Sequence, residues 1–157
     1  MYPIPVAIAI VLDGEKILIG QRLNKEERYL YGFPGGKIDI GEPAQYAVIR
    51  ELEEETGLIA TRIPIFMGYC DAIIHNHYIY MYFLVPRYKG RVINKEPHKM
   101  LAWEWWHLRD VPTITNQTYG MRMFIQDIHD RLLRMPTHMN GYDADNAPAI
   151  TKDQIHD

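Results

Sequence analysis

Apolar residues near the start of the chain fall into short runs that are separated by turn residues. Residues 6–12 form a run rich in β-branched side chains that ends at Asp13-Gly14, and residues 16–20 form a second run. Because Asp-Gly between two apolar runs is typical of a β-hairpin, we expect these runs to pair. Three further runs predict strands: residues 62–70, 78–85 and 101–108. A turn is expected at His75-Asn76, and residues 87–97 predict a loop with a short extended piece around Val92.

Two segments have helical signals. Residues 43–56 predict a helix, because Pro43 suits its first position and Gly57 suits the position just past its end. A C-terminal helix is predicted at about residues 116–134 from apolar residues at helical spacing: Met121, Phe124, Ile125, Ile128 and Leu132. After it, residues 136–157 predict a polar, loosely ordered tail.

Strands and helices mix without strict alternation, and the chain contains no internal repeat or linker. We therefore predict one domain over residues 1–157, of mixed-sheet α/β or α+β class. Apolar residues make up 47% of the chain and charged residues 24%, which excludes a disordered or fibrous protein.

Charge and cysteine content narrow the function classes. The formal net charge of −3 argues against a nucleic-acid coat or a basic membrane-surface protein. It leaves room for a small phosphate-bearing ligand if a bound metal ion supplies positive charge. Cys70 is the only cysteine, so no intrachain disulfide forms. With no apolar stretch near the roughly 20 residues of a membrane span and no signal peptide, we expect a cytoplasmic protein.

The helix predicted over residues 43–56 carries acids on its apolar face. On a helical wheel, Glu54 and Glu55 lie within about 60° of Glu51. Ala44, Ala47 and Val48 share that face, and Glu53 lies on the far side. Like charges four residues apart, the negative end of the helix dipole and burial all disfavour these carboxylates. A hard divalent cation, Mg²⁺ or Mn²⁺, would relieve all three effects. The alternative is a solvated acidic helix end, which glutamates alone would favour; the alanine–valine stripe favours the metal site.

Residues 36–58 resemble the signature of the Nudix hydrolase family. The matching positions are Gly36, Glu42, Arg50-Glu51-Leu52, Glu54-Glu55, Gly57 and Leu58. Seven of them demand one residue type, so a random window would match on the order of once in 10⁸. Phe33-Pro34-Gly35-Gly36 resembles the family's lead-in, although Tyr31 stands where the family typically has tryptophan.

The resemblance implies an α/β/α sandwich and Mg²⁺-dependent hydrolysis of a nucleoside diphosphate linked to another group. It implies that Glu51, Glu54 and Glu55 ligate the metal with help from the Gly36 carbonyl, and that Arg50 orients the acids together with Glu42. The intact Glu54-Glu55 pair favours cleavage of a phosphoanhydride.

Other segments look like one subgroup, the MutT-type nucleoside triphosphate diphosphatases, which include those that remove oxidised or modified dNTPs. These segments are His77-Tyr78, residues 96–99 and Trp103-Glu104-Trp105. The products would be a nucleoside monophosphate and pyrophosphate. A water that loses its proton to a general base would attack phosphorus, and Glu55 and Glu96 are the two candidates for that base.

Each candidate substrate-binding residue has two interpretations, a ligand contact or an ordinary structural or surface role. Arg22 and Lys37 flank the signature and are candidates for contact with phosphate oxygens, or are exposed surface cations. His77 is a candidate ligand donor, or is structural. A stacking surface for the base is expected among six aromatic residues, of which at least one must be core: Tyr31, Phe33, Tyr78, Trp103, Trp105 and Trp106. Strand alternation predicts Trp103 and Trp105 on one face and Trp106 on the other.

Two rival functions remain open. One is a Nudix pyrophosphatase for a nucleotide sugar, a dinucleoside polyphosphate or capped RNA. The other is a non-catalytic nucleotide-binding regulator, although such modules often lose signature acids. We expect no stable nucleic-acid complex, because no basic stripe accompanies the aromatics, and no membrane partner. Family habit favours a homodimer. The sequence leaves open the base, the sugar, damaged against normal nucleotides and the number of metal ions.

Overall fold

The computed structural model of the protein describes residues 2–23, 29–134 and 148–150. The strands are β1 Ile4–Ile10, β2 Leu12–Asp13, β3 Lys16–Arg22, β4 Tyr31–Gly32, β5 Gly35–Lys37, β6 Ile59–Ala60, β7 Ile65–Ile73, β8 His77–Leu84, β9 Tyr88–Lys89 and β10 Met100–His107. The helices are α1 Ala44–Thr56, α2 Tyr119–Asp127 and α3 His129–Arg134, and a 3₁₀ helix spans Leu108–Thr113. No helix in this part of the chain is long and apolar enough to span a membrane.

The strands form mixed sheets, as expected. One four-stranded sheet has the order β5-β1-β8-β7, in which β1 and β8 are parallel and the other pairs are antiparallel. In a second, antiparallel sheet β3 pairs with β10, β2 and β4. β6 and β9 form a small third sheet.

Two apolar cores lie on opposite faces of the sheets, which confirms the α/β/α sandwich. α1 packs on one face through Ala47, Val48 and Leu52, against Ala7, Ala9 and Phe83. α2 and α3 pack on the other face through Met121, Phe124 and Leu132, against Ile8, Ile10 and Tyr82. β1 therefore contributes alternate residues to both cores.

The predicted pairing of residues 6–12 with residues 16–20 is wrong for most of its length. Only Leu12–Asp13 pairs with β3, whereas β1 lies between β5 and β8 in the other sheet. A strand that is buried on both faces reads as a continuous apolar run and takes a central position with two neighbours. The Asp13-Gly14 turn is present, with Gly14 at a φ of 59°, but it joins the short β2 to β3.

The predicted C-terminal helix is two helices that meet at Ile128. The Thr118 hydroxyl accepts a hydrogen bond from the Met121 N–H and begins α2. α3 then starts at His129, whose buried ring bonds the Leu108 carbonyl oxygen at 2.6 Å. The spacing of apolar residues along the sequence gives no sign of this tertiary hydrogen bond, so it could not predict the break between the two helices. The predicted tail 136–157 lies outside the described residues, apart from 148–150, where the Pro148 carbonyl accepts from Ile63.

Two other boundaries differ from the prediction. β7 spans Ile65–Ile73 rather than residues 62–70. Within residues 87–97, the extended piece is Tyr88–Lys89 rather than the neighbourhood of Val92, because these two residues pair with β6. The strands β8 and β10 and the bend at His75-Asn76 agree with prediction to within a residue or so.

Gly20 lets the side chain of Trp103 lie flat across β3. The two residues are register partners in the β3–β10 pair, and a Cβ on Gly20 would lie 2.6 Å from Trp103 Cε3. It would also overlap the end of the Met100 side chain. Only glycine accommodates this close approach.

We expect Gly20→Ala to lower the free energy of unfolding by about 1–3 kcal/mol, since the added methyl group must displace the indole. Urea denaturation followed by tryptophan fluorescence measures the change. An unchanged transition midpoint would show that the indole moves aside freely.

Candidate active site

The absence of a side chain at Gly36 allows β5 to approach α1. Gly36 pairs with Ala7 of β1, on the face of the sheet that packs against α1. A Cβ on Gly36 would lie 2.5 Å from Glu51 Cδ and would overlap its carboxylate oxygens. The Gly36 backbone is therefore in direct reach of the Glu51 carboxylate. The glycine is needed here for space rather than for an unusual φ.

α1 presents its acids with graded exposure. Glu55 is buried at 6% exposure, the Glu51 side chain is 16% exposed, and the Glu54 side chain is 52% exposed. The expectation that all three acids continue the buried face is therefore wrong for Glu54. Glu54 and Glu55 are about 100° apart around the helix axis. Glu54 therefore lies at the solvent-exposed edge of the apolar stripe of α1. Glu53 is exposed, as predicted.

Both ends of α1 lie close to the residues that the sequence predicted. Pro43 is the capping residue before the helix rather than its first residue. Gly57 ends the helix with a φ of 76°, and its N–H bonds the Glu53 carbonyl oxygen at 3.0 Å. This left-handed cap turns the chain sharply after Glu55 and Thr56.

Arg50 holds three of the signature acids together. Its guanidinium bonds both carboxylate oxygens of Glu42, at 2.7 and 2.9 Å. It also bonds Glu51 at 2.8 Å and Glu54 at 3.3 Å, and reaches the Lys37 carbonyl oxygen at 3.2 Å. The Arg50 hydrogen bond holds the pKa of Glu42 below its usual value. These contacts bring Arg50, Glu42 and two α1 acids together, and the orienting role that the resemblance implies for Arg50 and Glu42 stays a prediction.

Among the acids of the site, Glu55 has the pKa that departs most from its usual value. Its Oε1 accepts a hydrogen bond from the Gly35 N–H at 2.9 Å. Burial raises the pKa of Glu55 to about 8, although the Arg22 guanidinium and the Gly35 N–H act in the opposite direction. The negative charges of Glu51 and Glu96 raise it further. Burial also raises the pKa of Glu51.

Glu96 reaches the site on a loop that follows the end of α1. The Ile93 N–H bonds the Thr56 carbonyl oxygen at 2.9 Å, and the Lys95 N–H bonds that of Glu55 at 3.3 Å. The Glu96 carboxylate pairs with Lys99 at 3.2 Å. Its negative charge raises the pKa of both Glu51 and Glu55, so the loop brings Glu96 into the neighbourhood of these two α1 acids.

The donor set suits a hard divalent cation. The carboxylates of Glu51, Glu54 and Glu55 and the Gly36 backbone supply oxygen only. The buried Glu55 and the space that Gly36 leaves beside Glu51 support this fit. Within residues 2–23, 29–134 and 148–150, no three carboxylate, imidazole or thiolate side chains are yet grouped so that they could hold an ion. Glu51 and Glu54 instead bind Arg50.

The predicted aromatic residues divide between core and site. Phe33 is buried at 4% exposure with its ring 4.7 Å from that of Phe124, so the prediction that it binds substrate is wrong. Trp103 donates its indole N–H to the Glu55 carbonyl oxygen at 3.2 Å, which gives it a contact within the protein. Trp105 packs on the α1 face beside Trp103, and Trp106 packs on the other face, as alternation predicted.

Two further candidates have contacts away from α1. The Tyr31 ring packs edge-to-face on Trp106, with centroids 5.5 Å apart. His77 pairs with Asp71 across the β7–β8 hairpin at 2.7 Å. Both predictions of a substrate contact stay predictions.

An aromatic surface on β8 was only partly recognised from the sequence. Tyr78 and Tyr80 are half-buried and stack on each other with centroids 5.9 Å apart. Register places Tyr80, Val6 and Lys37 side by side on three neighbouring strands, on the face opposite Gly36. The signal was the spacing of Tyr78, Tyr80 and Tyr82, since tyrosines two residues apart in a strand share a face.

Comparison with known proteins gives the family. A family model for the NUDIX domain matches residues 1–128. The 8-oxo-dGTP diphosphatase of Buchnera aphidicola subsp. Schizaphis graminum is 34% identical over 107 residues, which cover 68% of this chain and 78% of that protein. The ADP-ribose pyrophosphatase of Bacillus subtilis is 40% identical over 81 residues, which cover 47% of this chain and only 44% of that protein.

Comparison with solved structures supports the same family. A crystal structure of a MutT NUDIX hydrolase from Burkholderia pseudomallei superimposes with a TM-score of 0.74 at 27% identity, covering 82% of this chain and 99% of that one. The chain belongs to the Nudix family. It is a MutT-type hydrolase that acts on acid anhydrides.

The raised pKa of Glu55 predicts how the stability of the metal-free protein depends on pH. Between pH 4.5 and about 8 the folded state keeps the Glu55 proton that the unfolded chain has released. The free energy of unfolding should therefore fall as pH rises through this range, and Glu55 contributes at most about 1.4 kcal/mol per pH unit to this slope.

Urea denaturation at several pH values, with a chelator present, measures this slope. Glu55→Gln should reduce the slope, because glutamine carries no charge at any pH. Glu53→Gln, an exposed change on the same helix, should retain the wild-type slope. Equal slopes in the wild type and in Glu55→Gln would contradict the assignment of the buried proton to Glu55.

Proposed function

We propose that the protein is a divalent-metal-dependent nucleoside triphosphate diphosphatase, which hydrolyses a dNTP or NTP, including oxidised or modified forms, to a nucleoside monophosphate and pyrophosphate. The observation that carries the proposal is the buried carboxylate of Glu55, held by the Gly35 N–H beside Glu51, Glu96 and Arg22. Such a group has no structural advantage over an apolar residue at the same position.

Mg²⁺, or Mn²⁺ in its place, would be held by Glu51, Glu54 and Glu55 with the Gly36 carbonyl. When bound, the ion would neutralise phosphate charge and lower the pKa of a water molecule. Arg50 would orient Glu51 and Glu54, since it already bonds both. Arg22 lies close enough to Glu55 to affect its pKa, and would reach a phosphate oxygen from the same place.

The general base would be Glu55 or Glu96. Burial raises the pKa of Glu55 to about 8 in the metal-free protein, so the group holds its proton at neutral pH. A cation bound nearby would favour the ionised carboxylate, which is the form that accepts a proton from water. Glu96 has a 21% exposed side chain and a lysine partner, so it is the better hydrated of the two. The buried position favours Glu55 as the base and leaves Glu96 the role of a further acid beside the metal.

The base of the nucleotide would stack on Tyr78 and Tyr80 rather than on Trp103 and Trp105. The two tyrosine rings are half-buried and stack on each other, and Lys37 lies on the same face two strands away, at the edge that carries Gly36. A nucleotide whose phosphates pass over this edge would reach Glu51 from the tyrosine face. Stacking of a base on an aromatic ring contributes about 1–3 kcal/mol.

A nucleotide-sugar pyrophosphatase is the second candidate, because the Bacillus subtilis relative has 40% identity over its matched part. We favour the triphosphate because the Buchnera relative is matched over more of both chains. A non-catalytic regulator is disfavoured, because all the signature acids are present. The cytoplasm remains the proposed location and a homodimer the proposed assembly.

Product analysis tests the proposed function. Purified protein with Mg²⁺ should convert one or more of a panel of normal and oxidised dNTPs and NTPs to the monophosphate and pyrophosphate. The same assay with ADP-ribose, a dinucleoside polyphosphate and capped RNA separates the rivals. Hydrolysis of one of these and of no triphosphate would overturn the proposal, and no turnover of any compound would favour a regulator.

Glu55→Gln should leave the protein folded and lower kcat by about 100-fold or more, since the group that accepts the proton is lost. Glu53→Gln, on the exposed side of the same helix, should have wild-type kcat. Near-normal turnover by Glu55→Gln would remove Glu55 from the mechanism.

Tyr80→Ala should raise KM more than it lowers kcat, by about 5- to 100-fold in KM, since it removes a stacking surface and leaves the acids in place. Trp105→Phe, a conservative change on the opposite face, serves as the control. Equal KM values for wild type and Tyr80→Ala would mean that the base binds elsewhere.

A further inference from the structure

Residues 93–100, which we call the Glu96 loop, are fixed at both ends by backbone hydrogen bonds. At the first end, Ile93 and Lys95 bond the last carbonyls of α1. At the second end, the Lys99 carbonyl oxygen accepts a hydrogen bond from the Leu23 N–H at 2.7 Å. Within the loop, the N–H groups of Lys99 and Met100 both bond the Glu96 carbonyl oxygen at 2.9 Å. Backbone hydrogen bonds therefore attach the loop to the C-terminal end of α1 and to Leu23, the residue that follows β3.

Asn94 connects the two halves of this loop through its side chain. Its Nδ2 donates to the Met100 carbonyl oxygen at 2.7 Å, and its Oδ1 accepts from the Glu96 N–H at 3.3 Å. A carboxamide provides the donor and the acceptor in one rigid group. Of the two carboxamide side chains, glutamine is longer by one methylene group and would displace both contacts.

Electrostatic repulsion opposes the position that Glu96 occupies. Its charge acts unfavourably on Glu51 and Glu55, and its ion-pair partner Lys99 has a 62% exposed side chain. Both effects favour an outward position of the Glu96 carboxylate, where water solvates it together with the lysine. Contacts of the loop oppose this outward movement, and Asn94 makes two of them from its side chain.

We propose that Asn94 is a positioning residue that holds the Glu96 loop in shape at the end of α1, where the Lys95 N–H bonds the Glu55 carbonyl oxygen, and thereby presents Glu96 to the acidic site for a divalent cation. This inference rests on the proposed function and deepens it. Asn94 itself would touch neither the substrate nor the metal, and it would act through the Glu96 carboxylate alone.

A double-mutant cycle of Asn94→Ala and Glu96→Gln tests this dependence. In the wild-type background, Asn94→Ala should lower kcat by roughly 10- to 100-fold, the loss typical of removing a group that orients a metal-binding side chain. In the Glu96→Gln background the same change should have little further effect. A loss of equal size in both backgrounds would overturn the proposal, because Asn94 would then act independently of Glu96.

A second measurement does not depend on turnover. Titration of the metal-free protein with Mn²⁺ by calorimetry should show weaker binding in Asn94→Ala and in Glu96→Gln, and no additional weakening in the double variant. Wild-type Mn²⁺ affinity in Asn94→Ala would contradict the proposal. If the wild type binds Mn²⁺ but hydrolyses no substrate, the proposed function fails while the metal titration still decides the role of Asn94.

Two further variants separate positioning from a general loss of structure. Asn94→Ser keeps a short acceptor for the Glu96 N–H, so it should recover part of the lost metal affinity. Thr113→Ala removes another side-chain-to-backbone bond, from Thr113 to the Asp110 carbonyl oxygen at 2.6 Å, on the 3₁₀ helix. It should leave Mn²⁺ binding unchanged. Equal losses of Mn²⁺ affinity in Thr113→Ala and Asn94→Ala would show that the effect is general destabilisation.

Discussion

The hydrogen bond from the Gly35 N–H to the buried carboxylate of Glu55 is the contact on which the site depends. It joins the last turn of α1 to the strand β5, and it places a titratable group inside the sandwich. The carbonyl oxygen of the same residue accepts from Trp103 and Lys95, so one helical position is bonded from β5, β10 and the Glu96 loop. Glu55 thus organises elements that are far apart in the sequence.

The two faces of the central sheet have separate tasks near β5. Gly36 faces α1 and lies beside Glu51, whereas Lys37 follows it on the opposite face, in line with Val6 and Tyr80. The chemistry of phosphate cleavage and the recognition of the base would then occupy opposite sides of one strand. Because side chains alternate along a strand, two neighbouring residues are enough to connect the two regions.

Local signals predicted the helix that carries the acids, and long-range contacts decided most of what was missed. Pro43, Gly57 and the apolar stripe between them set the bounds of α1 without reference to the rest of the chain. The partner of β1 could not be read in this way, because residues 6–12 are apolar on both faces and the neighbours come from distant segments. The break at Ile128 likewise depends on a bond from His129 to Leu108.

The site shows the same division. The signature identified Glu51, Glu54, Glu55 and Arg50 by spacing, but it could not give the depth of each acid. Phe33 was misread because an aromatic residue next to a motif has the same sequence signal whether it contacts a ligand or the core. Asn94 carries no signal at all, since its role depends on two backbone groups that fold next to it.

The contacts of Arg50 have a consequence for how a cation enters. The guanidinium bonds one carboxylate oxygen of Glu51 and one of Glu54, and it is tied to Glu42 through two bonds. Each of the two metal-binding acids keeps its second oxygen for an incoming ion. The acids would therefore be aimed and partly neutralised before loading, so an arriving cation would meet a preset frame rather than two mutually repelling side chains.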